Sequence, residues 1–135
     1  WSMKEAAYKI YTQHHEIRFF APKNFKCKLT QGSKGVVSFK GQNFYTRTKV
    51  NKDCIFTTAV IENKKSPYSE MVSPDQIDTM IKSKLNELTA LEISEIQQKK
   101  SKNGVPSYHY KTTLLTSSCS ITHHGKFGAY SFLQS

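Results

Sequence analysis

The apolar positions fall first on a helical period. Met3, Ala6, Ala7 and Ile10 share one face, and Ser2 followed by Glu5 has the spacing of a capping box, so a short amphipathic helix is predicted at the start. The period then shortens to that of strands. Residues 15–20 and 25–29 read as extended, with Phe25, Cys27 and Leu29 directed inward, Lys26 and Lys28 outward, and Pro22 and Lys23 in the turn between. Gly32, Gly35 and Gly41 punctuate the next stretch, separating strands at 36–40 and 44–50, and residues 51–53 turn into a further strand at 54–61. Such a succession predicts an antiparallel meander. Residues 63–69, with Lys64, Lys65 and Pro67, carry no period and read as a surface loop of the kind that often bears function.

The clearest helix follows. Ser73 stands as N-cap, Pro74 at the first helical position, Asp75 near the positive end of the dipole, and Gln76 completes a capping box. Ile77, Met80, Ile81, Leu85 and Leu88 then form one apolar stripe, with Asp78, Lys82, Lys84, Asn86 and Glu87 on the wet side, as expected of a helix packed on a sheet. Beyond it, residues 91–100 and 105–115 flank Asn103-Gly104, a dipeptide suited to a tight hairpin turn, and predict a long two-stranded ribbon. Tyr108, Tyr110, Thr112 and Leu114 share one face of its second strand, and shorter strands at 119–123 and 129–133 end the chain. The element order predicts an α+β fold: mostly antiparallel sheet, one long amphipathic helix packed on it and a short N-terminal helix, in a single domain over residues 1–135.

Composition narrows the class. At 135 residues with 37% apolar content, the chain can bury one core, and a chain of this size hides roughly two-thirds of its unfolded surface. No apolar run approaches the roughly 20 residues of a spanning helix. Residue 1 is Trp rather than Met, which reads as a processed or trimmed chain whose signal peptide, if any, is already gone. Cys27, Cys54 and Cys119 stand far apart and odd in number; this argues against a disulfide framework, leaves one bridge open, and suits small buried hydrophobes.

Charge changes the picture most. Residues 23–52 hold Lys23, Lys26, Lys28, Lys34, Lys40, Arg47, Lys49 and Lys52 without one acid, a block of +8. Residues 53–95 carry eight acids and four bases, whereas residues 96–135 have five lysines and no acid. Strand alternation directs Lys26 and Lys28 outward together, and Arg47 with Lys49 likewise. If the meander pairs in order, these converge on one solvent face, with Lys40 near a strand end and Lys99, Lys100 and Lys102 of the ribbon adjoining. The anion-binding site expected is therefore Lys26, Lys28, Lys40, Arg47, Lys49, Lys99, Lys100 and Lys102. A plain solubilising, edge-protecting surface is the competing reading. Eighteen lysines against two arginines suit mobile point-charge attraction to phosphates better than rigid bidentate recognition. Membrane headgroups, phosphoinositides above all, are favoured over sequence-specific nucleic acid. Aromatic residues such as Phe44, Tyr45 and Tyr68 are candidates for shallow insertion or base stacking, although strand aromatics more often pack in cores.

Other chemistries find little support. His14-His15, His109 and His123-His124 lack metal-ligand spacing, so no metal and no cofactor are assigned. Cys119 lies four residues before His123 amid Ser117, Ser118 and Ser120, but no acid follows Glu95 to orient a base, and no catalytic residue is assigned. A small phosphodiesterase using His109 with His123 or His124 is the enzymatic alternative. The glycines match neither phosphate-loop pattern, and no N-x-[ST] acceptor occurs.

The order running from Phe25-Lys26-Cys27-Lys28-Leu29 through the meander to the Ser73-Pro74-Asp75-Gln76 helix and the Gly104-Val105-Pro106-Ser107-Tyr108 strand resembles a PsbP-like α/β domain over roughly residues 15–133. The ending Gly125-Lys126-Phe127-Gly128-Ala129-Tyr130-Ser131-Phe132 is similar to that family's glycine turn into an aromatic-bearing strand. Two departures stand out: the family closes with a further helix, whereas here a helix opens the chain. The resemblance implies docking rather than catalysis and exported or lipoprotein relatives, and carries over no site residue. The lysine-rich, short and motif-poor chain is also similar to small exported bacterial proteins, including effectors delivered to a host. Together these lead to the expectation of a secreted, non-enzymatic module, peripheral at a host membrane, that binds an anionic membrane surface or phosphoinositide headgroup. An acidic host protein is the alternative partner, and nucleic acid competes because counterion release serves it equally.

Overall fold

The computed structural model describes residues 1–19, 21–61 and 66–135. The fold is α+β, and its sheets are antiparallel throughout. The chain divides into two compact units, Trp1–Pro67 and Tyr68–Ser135, each with its own α-helix, antiparallel strands and core.

In the first unit, α1 (Ser2–His15) precedes the meander β1 (Lys26–Leu29), β2 (Lys34–Phe39), β3 (Gln42–Val50) and β4 (Ile55–Val60), paired in that order in one four-stranded sheet. One sheet face carries Val37, Phe39, Phe44 and Thr46, and α1 packs there through Ala7 and Tyr11. Rings dominate this core: Phe25 stacks on Phe39 at 4.2 Å between centroids, and Tyr11 meets Phe39 edge-on at 4.8 Å. Gly35 lets the helix come close, since a Cβ there would collide with the Met3 methyl and lie 3.0 Å from both the Lys28 carbonyl oxygen and Thr46 Oγ1.

Several local expectations need correction. Ser2 does not cap α1, for Trp1 is the N-cap residue and the Ser2 hydroxyl donates instead to Thr57 Oγ1 on the sheet (2.6 Å). The helix runs to His15, where Glu16 stops it in the left-handed region. Residues 17–19 are then irregular rather than a strand, and Phe20 lies outside the described residues. Cys27 and Leu29 do not point into a core: every residue of β1 is exposed, because β1 is an edge strand and α1 lies chiefly against β4.

The second unit contains β5 (Tyr68–Val72), α2 (Ile77–Thr89), β6 (Ile96–Lys100), β7 (Pro106–Tyr110), β8 (Thr113–Leu114), β9 (Thr116–His124) and β10 (Phe127–Gln134). Its strands form two sheets, ordered β5-β10-β9 and β6-β7-β8. A Leu115 N–H donated to the Tyr108 carbonyl (2.8 Å) and a Tyr108 N–H donated to Thr116 Oγ1 (3.1 Å) link β7 to the start of β9. The stripe of α2 behaves as its period predicts: Ile77, Ile81 and Leu85 are buried with Tyr108, Cys119, Tyr130 and Phe132, and Met80 and Leu88 flank them.

Here too the details shift. Residues 74–76 form a 3-10 turn leading into α2, and the Gln76 N–H bonds to the Ser73 carbonyl (2.9 Å), so no side-chain cap forms. The expected loop at 63–69 ends sooner, since Tyr68 and Ser69 already belong to β5; Lys64 and Lys65 lie outside the described residues. Asn103-Gly104 is no two-residue turn: only Gly104 has positive φ, and a three-residue loop closes between Ser101 and Val105. The tight turn with both residues at positive φ is Lys40-Gly41 instead, between the paired Phe39 and Gln42. The ribbon stops at Tyr110; the chain reverses at Lys111, and Leu114 comes to lie opposite His109 rather than beyond Tyr110.

Candidate functional site

The sheet of the first unit has a second face, opposite α1, and ladder register defines it. Residues directly opposite on antiparallel strands share a face. Lys26 lies opposite Ser38, which lies opposite Asn43; Lys28 opposite Val36, which lies opposite Tyr45, with Val60 beyond; Lys34 opposite Arg47, with Thr58 beyond; and Lys49 opposite Phe56. Lys26, Lys28, Lys34, Arg47 and Lys49 are all exposed, and among the described residues this face bears no acidic residue. Val36, Tyr45, Phe56 and Val60 form a half-buried apolar patch among them.

With strands about 4.8 Å apart and alternate residues about 6.7 Å apart along a strand, the cations cover roughly 10 Å by 20 Å. Lys34 directly opposite Arg47 is an unfavourable pair that an attached anion would relieve. Lysines supply mobile donors there, and Arg47 the single planar fork.

Four of the expected site residues, Lys26, Lys28, Arg47 and Lys49, therefore meet on one face. Lys34 joins them although only its charge, not its position, was legible beforehand. Lys40 sits in the tight turn with its ammonium 5.4 Å from the centre of the Phe39 ring, a residue of the α1 side. Lys99 and Lys100 end β6 and Lys102 occupies the loop after it, all exposed in the second unit. Among the aromatic candidates, Tyr45 lies on the basic face, whereas Phe44 is buried beneath α1 and cannot insert. Tyr68 lies on an edge strand with the Lys84 ammonium 5.4 Å from its ring centre.

The enzymatic candidates are not assembled. His109 lies beside the start of β9, while His123 is seven residues beyond Thr116 on that strand, a separation of roughly 20 Å. His109 Nε2 is 3.0 Å from the Ser107 hydroxyl. Cys119 is buried and burial pushes its thiol up to about 12, the reverse of what a nucleophile needs. Cys27 is exposed, Cys54 half-buried and Cys119 buried, and among the described residues no His, Cys, Asp or Glu cluster could hold a metal.

Two buried tyrosines have carboxylate partners that sequence reasoning missed. Tyr108 donates to Asp78 Oδ1 (2.8 Å) and accepts from Gln98 Nε2 (3.0 Å), and Lys82 holds the other Asp78 oxygen at 3.0 Å. Asp78 thus belongs to the helix–sheet junction rather than wholly to the wet side. Tyr130 donates to Glu70 Oε2 (2.9 Å). Burial and the adjoining carboxylates push both phenols well above the usual tyrosine range, so both act as structural donors. Among the described residues no helix is long and apolar enough to cross a membrane. Compared with protein-family models, curated proteins and solved structures, the chain matches none.

Proposed function

We propose that the first unit is a non-enzymatic binding module whose basic face attaches reversibly to anionic phospholipid headgroups, phosphoinositides in particular. One observation carries the reading: Lys26, Lys28, Lys34, Arg47 and Lys49 share one sheet face around Tyr45 and Phe56, with no acid on it among the described residues. At about 1 kcal/mol per basic residue near an anionic membrane, these five would contribute about 5 kcal/mol, useful yet reversible. Exposed cations spread over a sheet face suit a headgroup layer better than a small soluble anion. Export from a bacterial cell and a peripheral position on a host membrane belong to the same proposal, supported by the lysine-rich composition. The PsbP-like layout implies docking without choosing between a lipid and a protein partner.

The test is co-sedimentation with phosphatidylcholine vesicles, with and without a phosphatidylinositol phosphate, at low and high salt and with single-stranded RNA as competitor. Pelleting should require the anionic lipid, resist RNA, and weaken about 30-fold in the K28Q/R47Q double variant, the equivalent of two lost charges. Absence of pelleting at low salt, or unchanged pelleting of the variant, overturns the reading. Displacement by RNA assigns the face to nucleic acid instead.

A further inference from the structure

The four most exposed large apolar side chains among the described residues are Trp1 (76% exposed), Val50 (72%), Leu29 (71%) and Ile55 (61%). Trp1, Leu29 and the Val50–Ile55 pair are far apart in sequence, yet the topology gathers them at one end of the first unit. Val50 lies opposite Ile55 at the closed end of the β3–β4 hairpin. One step inward on the same face, Thr48 lies opposite Thr57, and the Thr57 hydroxyl accepts from Ser2 at the start of α1. Trp1, the N-cap of α1, immediately precedes Ser2 and so stands at the helix end tied to Thr57. Leu29 ends β1 beside a turn whose Ser33 carbonyl accepts the Thr48 N–H at 2.8 Å, which brings that turn to the same end.

The apolar end is firmly built. Asn51 Oδ1 accepts the N–H groups of Asp53 (3.0 Å) and Cys54 (2.8 Å), and the Asn51 N–H donates to the Cys54 carbonyl (3.0 Å). Val50 and Ile55 are therefore presented by a tied turn. Lys49 and Lys52 flank them, and Lys34 and Arg47 follow one row behind on the basic face, against the single acid Asp53 of the turn.

We propose that this end dips into the acyl boundary of an anionic bilayer, with Val50, Ile55, Leu29 and Trp1 as the inserted side chains and Lys34, Arg47, Lys49 and Lys52 held at headgroup depth. The inference rests on the reading of the basic face as headgroup-binding and specifies how the unit is oriented on the membrane. Charge selects a lipid surface as the occupant. Apolar side chains with cations beside them on the adjoining sheet face match a hydrocarbon layer beneath anionic phosphates, the same division that amphipathic membrane-surface elements display.

Trp1 is the only tryptophan, so its fluorescence reports the end directly. The protein is mixed with phosphatidylcholine vesicles containing a phosphatidylinositol phosphate, with and without brominated acyl chains, and pelleting is measured in parallel. Insertion predicts blue-shifted emission, quenching by the brominated lipid, and binding weakened about tenfold or more in V50N/I55N. L114N, which removes an exposed leucine of the second unit, should bind as the parent does. If the parent pellets but its emission stays as in buffer, or V50N/I55N binds undiminished, the insertion is wrong while the basic-face reading stands. If the parent does not pellet, both fall.

Discussion

Replacing Gly128 by alanine tests the packing of the second unit, and interatomic distances decide the sign. Gly128 lies on β10, opposite Val72 of β5 and His123 of β9, with a backbone conformation that any residue can adopt. In open surroundings the substitution would stabilise by about 0.4–1 kcal/mol, because alanine has less freedom to lose on folding. Here the added Cβ would lie 2.8 Å from the Val72 carbonyl oxygen, 3.0 Å from Ile77 Cδ1 and 3.1 Å from Pro74 Cα. Only the isoleucine methyl can rotate aside. The other two atoms are backbone, one in the β5–β10 ladder and one at the turn that launches α2, so relief requires the helix start to move off the sheet. Overpacking of this kind costs about 1–3 kcal/mol, which outweighs the entropic gain and leaves a net loss of about 1–2 kcal/mol. Urea unfolding followed by far-UV circular dichroism reads the change as a lower midpoint at unchanged slope. A G128A protein as stable as the parent, or more so, would refute the claim that this glycine sets the distance between α2 and the sheet.

Two further outcomes concern buried polar groups. Thr46 Oγ1 is buried under α1 with no hydrogen-bond partner among the described residues, so Thr46→Val should raise stability by about 1 kcal/mol in the same assay, and a loss of that size would show that the hydroxyl is satisfied. Cys119 introduces an alkaline dependence. Its thiol is raised from 9.0 to about 12 in the folded chain, so the unfolded chain releases the proton first and the stabilising effect, complete below pH 9, is lost as pH rises toward about 12. The expected slope is about 1.4 kcal/mol per pH unit from this group. Cys119→Ala, although less stable at neutral pH, should flatten the dependence on pH, and an equally steep curve for the variant would assign it elsewhere.

Much of the fold was legible because its signals are local. The stripe Ile77, Ile81 and Leu85 is set by a helical period, and α2 follows it residue for residue. The meander is readable from alternation and from glycines at its turns. Errors arose where two local solutions compete. Ser2 and Glu5 match a capping box, but a neighbouring sheet hydroxyl, Thr57, takes the serine. Asn103-Gly104 favours a two-residue turn, but the ladder beyond it closes with three. In β1, alternation correctly assigns Cys27 and Leu29 to the side opposite the lysines; it says nothing of how far α1 extends over that side, and at this edge strand both side chains stay exposed.

The sequence by itself determined the α+β class, the apolar stripe of α2, the succession of strands and an acid-free block of eight cations, because period and charge are properties of neighbouring residues. Tertiary structure alone decided which strands meet and in what register. It set Lys34 opposite Arg47, placed Tyr45 among the cations and Phe44 in the core, and gathered Trp1, Leu29, Val50 and Ile55 at one end. These are contacts between residues distant along the chain, fixed by helix cover and ladder register, and no local pattern encodes either.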